Sequence, residues 1–197
     1  REAGGLFIAD EVQAGFGRTG GMWGFSRHDV VPDIVTMGKP MGNGHPVAGL
    51  AARADLVEGF GRDTRYFNTF GGNPVSAAVG LAVLDVLRDE ALPQNAANTG
   101  AELAVALRAL AERQEILGDV RAAGLYLGVD VRTAGGALDQ ARATALVNGM
   151  RKRGVLISAA GPAGNVLKIR PPLPFGPTHV DMLVGALEDC LSEDAAV

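Results

Sequence analysis

Residues 6–20 read Leu6-Phe7-Ile8-Ala9-Asp10-Glu11-Val12-Gln13-Ala14-Gly15-Phe16-Gly17-Arg18-Thr19-Gly20. The apolar run Leu6–Ala9 ends in two acids, the pattern of a buried strand whose carboxyl end meets polar chemistry. Ligands of open α/β sheets gather at that end of the strands. Asp10 is therefore a candidate site residue, with a helix cap or a surface acid as the plainer alternative. Gly15 to Gly20 spell G-x-G-x-x-G. A dinucleotide fingerprint needs a strand directly before that spacing and an apolar helix directly after it. Here Glu11–Ala14 displace the strand, and Gly21-Met22-Trp23-Gly24 cannot open such a helix. The loop reads as structural, within an α/β unit that does not bind a dinucleotide.

Working outward, Asp33–Met37 is a second strand that ends just before Lys39, and Val47–Ala52 is a third. Between them Pro40, Gly42, Gly44 and Pro46 predict an irregular loop. Phe67–Pro74 is another loop, closed by Asn73 as N-cap and Pro74 at the first position of a helix to about Arg88. A break at Leu92-Pro93 precedes a helix over 95–114, with Leu103, Leu107 and Leu110 on one face. Leu125, Leu127, Val129 and Val131 alternate as a half-buried strand does. A helix from about Leu138 to Arg153 stops at Gly154. Val155–Ser158 and Val166–Ile169 are short strands around a Gly-Pro-Ala-Gly turn. The last helix opens on Thr178 and Asp181, spaced as a capping box. Its apolar stripe is Val180, Leu183, Val184, Leu187 and Leu191. The expectation is an α/β half followed by an α+β half.

Composition narrows the function classes. The chain has 197 residues, 18 Lys+Arg against 22 Asp+Glu, and 47% apolar residues. That apolar share builds a core and excludes a disordered tail. The scattered, mildly acidic charge argues against a nucleic-acid partner. No apolar run approaches the roughly 18–20 residues that span a bilayer, so no membrane partner is expected. The single cysteine, Cys190, excludes a disulfide framework and fits a reducing cytoplasmic location. His28, His45 and His179 lack metal-ligand spacing, so no metal is expected. The opening REAGGLFIAD reads as a helix end running into a strand. The chain is therefore expected to be cut from a longer protein whose upstream part could carry a targeting signal.

Lys39 is the most informative single residue, one of three lysines in the chain. A lysine in a low-dielectric pocket loses its proton more easily, and its free amine is nucleophilic, as a Schiff-base lysine requires. The plainer reading is an ordinary lysine at a strand end. His45 suits a loop-stabilising hydrogen bond better than a general base. No G-x-S-x-G elbow and no serine–histidine pairing is evident.

Taken together, the motifs resemble one family. They are Asp10-Glu11-Val12-Gln13-x-Gly15-x-Gly17-Arg18-x-Gly20, Pro32-Asp33-Ile34, Gly38-Lys39-x-Met41-Gly42-Asn43-Gly44-x-Pro46, Asn68-Thr69-Phe70-Gly71-Gly72-Asn73-Pro74, Gly118-Asp119-Val120-Arg121-x-x-Gly124-Leu125 and Pro171-Pro172-Leu173. This order and spacing resembles the class III aminotransferases, pyridoxal-phosphate enzymes of fold type I. The resemblance implies the C-terminal part of the cofactor-binding large domain over residues 1–94 and a small C-terminal α+β domain over 95–197.

It also implies roles. Lys39 would bond pyridoxal 5'-phosphate and shuttle a proton. Asp10 would pair with the pyridine nitrogen, and Gln13 would hydrogen-bond the ring oxygen. Thr69 would contact the cofactor phosphate of a neighbouring subunit in a homodimer. Lys168 and Arg170, just before the Pro171-Pro172 pair, would hold substrate, unless both are solvated strand-end residues. The family's phosphate cup and its ring-stacking aromatic would lie upstream of Arg1, leaving this fragment inactive alone. The implied reaction transfers an amino group from an amine or amino acid to a 2-oxo acid. The blocks around Lys39 and Lys168 look most like the phospho-lyase branch, so elimination of phosphate from phosphoethanolamine-like substrates is the alternative. A decayed, non-catalytic subunit is a third reading, opposed by the presence of Asp10, Gln13, Lys39 and Thr69.

Overall fold

The strand Ile8–Asp10 (β1) pairs in parallel with Ile34–Met37 (β2), which pairs antiparallel with Gly49–Ala52 (β3), in the order β1-β2-β3. The register sets Asp10 opposite Thr36. In the computed structural model residues 1–194 are described, and the chain divides into two units, Arg1–Pro93 and Gln94–Val197.

The first unit adds two α-helices, Ala54–Asp63 (α1) and Pro74–Asp89 (α2), and two 3-10 turns, Gly24–His28 and Lys39–Gly42. The cap expected of Asn73 is present, its side chain accepting the Ser76 N–H at 2.9 Å with Pro74 in the first turn. Burial of the first strand is not. Leu6, Phe7 and Ile8 are 50, 41 and 55% exposed, and Ala9 alone of that run is buried. Within this unit no layer covers that strand among the described residues. The helix α1 was not expected from the sequence, because Gly59 and Gly61 weaken its pattern and Arg53 caps it with no side-chain bond.

The second unit is a four-stranded antiparallel sheet in the order β4-β5-β7-β6. Its strands are Leu117–Ala123 (β4), Tyr126–Val131 (β5), Ser158–Ala160 (β6) and Val166–Ile169 (β7). Leu127, Val129 and Val131 turn inward, as their alternation requires. They meet Leu103, Leu107 and Leu110 of the helix Leu92–Arg113 (α3), Leu146 and Met150 of Gln140–Lys152 (α4), and Leu183, Leu187 and Leu191 of Pro177–Asp194 (α5) in one core. Gly100 of α3 lies so close to Gly124 that a β-carbon there would stand 2.2 Å from its carbonyl oxygen.

Three local expectations shift. Leu92-Pro93 opens α3 instead of breaking before it, since proline is tolerated in a first turn. The strand expected over Val155–Ser158 forms instead at Ser158–Ala160. The last helix starts at Pro177, so Thr178 lies inside its first turn. The ring Nδ1 of His179 accepts the Gly176 N–H at 3.1 Å in place of the Thr178–Asp181 box.

Candidate active site

Asp10 ends β1, and a single oxygen of its carboxylate accepts two donors. The Val12 N–H bonds Oδ1 at 3.1 Å and the Thr36 hydroxyl bonds it at 3.3 Å. The side chain is exposed. With Oδ1 engaged in this way, the other carboxylate oxygen is the one available to accept from a ligand's N–H.

Alternation sends Glu11 the opposite way. It is 2% exposed, and its carboxylate accepts the N–H groups of Gly24 and Phe25 at 2.8 and 2.9 Å. These are donors at the start of the 3-10 turn Gly24–His28. A β-carbon on Gly24 would stand 2.6 Å from that of Ala14. Along the same loop the Phe16 ring meets Trp23 edge to face, with centroids 5.3 Å apart, and Trp23 stacks on Phe25 at 6.3 Å. The glycine-rich loop is thus wrapped around a buried acid. That is the structural role the sequence favoured, although the turn at Gly24 was not foreseen.

Lys39 follows β2 on the strand next to Asp10. It opens the turn Lys39–Gly42 with φ at +27°, in the left-handed region that residues bearing a β-carbon rarely adopt. Such a conformation costs about 1–3 kcal/mol and collects at functional sites. The side chain is exposed, so the low-dielectric pocket expected around it is not formed by the described residues. The turn is anchored by the helix beside it. His45 Nε2 lies 2.8 Å from Ser76 Oγ, which also accepts from Asn73 Nδ2 at 3.0 Å. Asn73 Nδ2 donates as well to the Phe70 carbonyl at 2.7 Å. This chain of bonds ties the lysine loop to the loop that holds Thr69, the loop-stabilising use anticipated for His45.

Thr69 is exposed, between Phe67 and Phe70 at 84 and 80% exposure. The loop keeps its shape through Asn68 Oδ1, which accepts the N–H groups of Phe70 and Gly71 at 3.1 and 2.9 Å. Gln13 is exposed on the turn after Asp10.

Sequence reasoning missed Asp33. It is buried and accepts the Phe7 N–H at 2.8 Å, Arg53 Nη1 at 2.7 Å and Arg1 Nε at 3.0 Å. The Phe7 N–H first, then Arg53 and Arg1, hold its carboxyl far below the usual carboxylate range. It pins β1 to β2 at their amino ends, opposite the Asp10 end. Its sequence signals are an acid at a strand start and its place in the Pro32-Asp33-Ile34 motif, neither of which named its partners.

In the second unit, Lys168 stands in β7 and Arg170 directly after it. The Arg170 guanidinium lies 5.9 Å from the ring centroid of Tyr126. Asp10, Gln13, Lys39 and Thr69 all belong to residues 1–93, whereas Lys168 and Arg170 belong to residues 94–197.

Comparison with known proteins adds the following. The model of the class-III aminotransferase family matches residues 1–191. An Arabidopsis thaliana protein named alanine–glyoxylate aminotransferase 2 homolog 2, mitochondrial, is 48% identical over 98% of this chain and 41% of its own length. Ethanolamine-phosphate phospho-lyase homolog 1 of Caenorhabditis elegans is 44% identical over 98% of this chain and 42% of its own. The structure of a phospholyase from Arthrobacter in complex with phosphoethanolamine superposes with a TM-score of 0.95 at 50% identity, covering 98% of this chain and 46% of that one. The chain therefore spans about two fifths of the length of the curated relatives it matches.

Proposed function

The chain belongs to the class-III aminotransferase family, and we propose that it carries the lysine-bearing part of a pyridoxal-phosphate enzyme moving an amino group from an amine or amino acid to a 2-oxo acid. The observation that carries this reading is the pair Asp10 and Lys39, an anion and a primary amine at the carboxyl ends of adjacent parallel strands. The donor set fits the family's cofactor. It offers a fixed carboxylate for a ring nitrogen and an amine for an aldehyde carbon. When bound, pyridoxal phosphate supplies an electron sink for the carbon next to the substrate nitrogen.

The chain's residues divide the remaining work. Lys39 Nζ would hold the cofactor and would serve as the acid–base group beside it. Asp10 would pair with the ring nitrogen and favour its protonated form. Its carboxylate is held in place by Val12 and Thr36, so no reorganisation is needed during reaction. Gln13 would hydrogen-bond the ring oxygen. Thr69 meets the cofactor phosphate of a second subunit, and the exposed Phe67 and Phe70 beside it suit a homodimer contact. Lys168 and Arg170 hold the substrate's anionic group.

Lys168 also favours a second reading, elimination of phosphate from a phosphoethanolamine-like amine. A single flexible ammonium grips a planar carboxylate less specifically than an arginine fork does, and the C. elegans and Arthrobacter relatives are named phospho-lyases. Product analysis decides between the two. Conversion of glyoxylate or pyruvate that depends on an added amine, without phosphate release, supports transfer. Phosphate, ammonia and acetaldehyde from phosphoethanolamine, with no 2-oxo acid present, support elimination. Absence of both product sets would overturn both readings.

No helix among the described residues is long and apolar enough to cross a membrane. The buried thiol of Cys190 suits a reducing compartment, so the cytosol is the proposed location. Cell fractionation tests it against the mitochondrion named for the Arabidopsis relative.

A further inference from the structure

One row of residues runs in register across the four-stranded sheet. Arg121 stands opposite Gly128, Gly128 opposite Lys168, and Lys168 opposite Ser158. Their neighbours Leu127, Val129, Leu167 and Ile169 fill the core. Alternation therefore turns the row to the other face. Gly128 places nothing between the two cations. A methyl there would stand 3.1 Å from Val166 Cγ1 and 3.9 Å from Arg121 Nη2. The result is an open cavity of about 340 Å³ floored by Gly128 and walled by Arg121, Tyr126, Val166 and Lys168.

The two cations are prepared differently. Arg121 is held by Asp130, which accepts from Nη1 at 3.1 Å and from Nη2. A guanidinium has five N–H donors, so donors remain outside that pair. Asp130 is shared with Arg132 Nη2 at 3.3 Å. Among the described residues no carboxylate stands within ion-pair distance of the Lys168 ammonium. Arg170 is engaged over the Tyr126 ring. Arg121 and Lys168 sit two strand spacings apart, roughly 10 Å between backbones. An oxyanion fills that span with a charge-assisted hydrogen bond of about 2.8 Å on each side.

We propose that the Arg121–Gly128–Lys168 row seats the phosphate of a phosphomonoester amine, with Arg121 as a specificity-determining residue. Two cations converging over a bare glycine floor suit a tetrahedral dianion. A planar carboxylate is better served by one arginine fork in its own plane. The proposal rests on the phospho-elimination reading and names the group that selects its substrate.

Inorganic phosphate is the probe, applied to the holoenzyme. Arg121→Gln and Lys168→Gln should each raise the KM for phosphoethanolamine and the inhibition constant of phosphate at least about tenfold. Gly128→Ala should do the same with both cations intact, because its methyl fills the floor. Arg113→Gln, a lost cation outside the row whose partner is Glu188, should change either value by no more than about twofold. If phosphoethanolamine is not turned over, the elimination reading fails by itself, and phosphate binding by calorimetry still tests the seat. Binding weakened in the three row variants upholds it. Phosphate binding unchanged in them, or a loss confined to glyoxylate and pyruvate, overturns it.

Discussion

Residues 1–93 and 94–197 solve different problems. The second unit closes on itself. Its sheet and helices bury nineteen residues in one cluster, from Leu103 to Leu191. The first unit buries little. Fourteen of the eighteen large apolar side chains exposed among the described residues lie between Leu6 and Val86. Yet the first unit holds Asp10, Gln13, Lys39 and Thr69, together with the strained φ of Lys39. Exposed apolar surface on this scale marks a face made to meet another surface. The difference teaches that the larger buried core and the proposed cofactor-holding residues are housed in different units. The second unit carries the packed core together with the proposed phosphate seat, and the first presents the proposed cofactor-holding residues, with Asp10 and the loop around Thr69 held by local polar bonds.

That division breaks if changes in the two units have the same consequence. Lys39→Ala should abolish measurable turnover of the working enzyme while its unfolding midpoint stays within about 2 °C, because an exposed side chain adds little to packing. Asp10→Asn should lower turnover roughly a hundredfold or more, the usual cost of one preorganised electrostatic partner. Near-normal kcat in that variant would assign the ring nitrogen to another group. In the second unit, Leu107→Ala should cost about 2–5 kcal/mol in denaturant unfolding, independent of protein concentration. Phe70→Asp should instead act on association. Sedimentation should show the proposed dimer dissociating at roughly tenfold higher concentration, with the core of the second unit untouched. A loss of fold stability equal to that of Leu107→Ala would contradict the division.

The smallest effect concerns acid. Asp33 has a depressed folded-state pKa, so its contribution is present above the ordinary carboxylate value near 3.9 and is lost as pH falls below it. Asp33→Asn should flatten the stability–pH curve below about pH 4 and leave its shape unchanged near neutrality. Circular dichroism across an acid titration checks this.

Much of the frame was legible because it rests on local rules. The alternation of Leu127, Val129 and Val131, the Asn73 cap and the positive φ of Gly154 each follow from neighbours within a few residues. The losses share a different cause. β4 was missed because a register shift between Leu117 and Val120 interrupts its alternation. Glu11 and Asp33 were given no role because their partners lie 13 to 32 residues away, at Gly24, Phe25, Phe7, Arg53 and Arg1. At the site, Lys39 was found through its place after an apolar strand and inside a family motif. Its exposure was not, since burial depends on what covers the strand ends. The same blindness explains the exposed Leu6–Ile8 run, whose composition matches that of a covered strand.

The central claim is that Lys39, beside Asp10, is the cofactor lysine. Borohydride reduction of the pyridoxal-phosphate-loaded enzyme followed by peptide mapping tests it most directly, because only three lysines compete within this chain. The account predicts one modified peptide, the one containing Lys39, and its disappearance in Lys39→Ala. Modification at Lys152 or Lys168 in its place, or undiminished labelling of the Lys39→Ala enzyme, would contradict it.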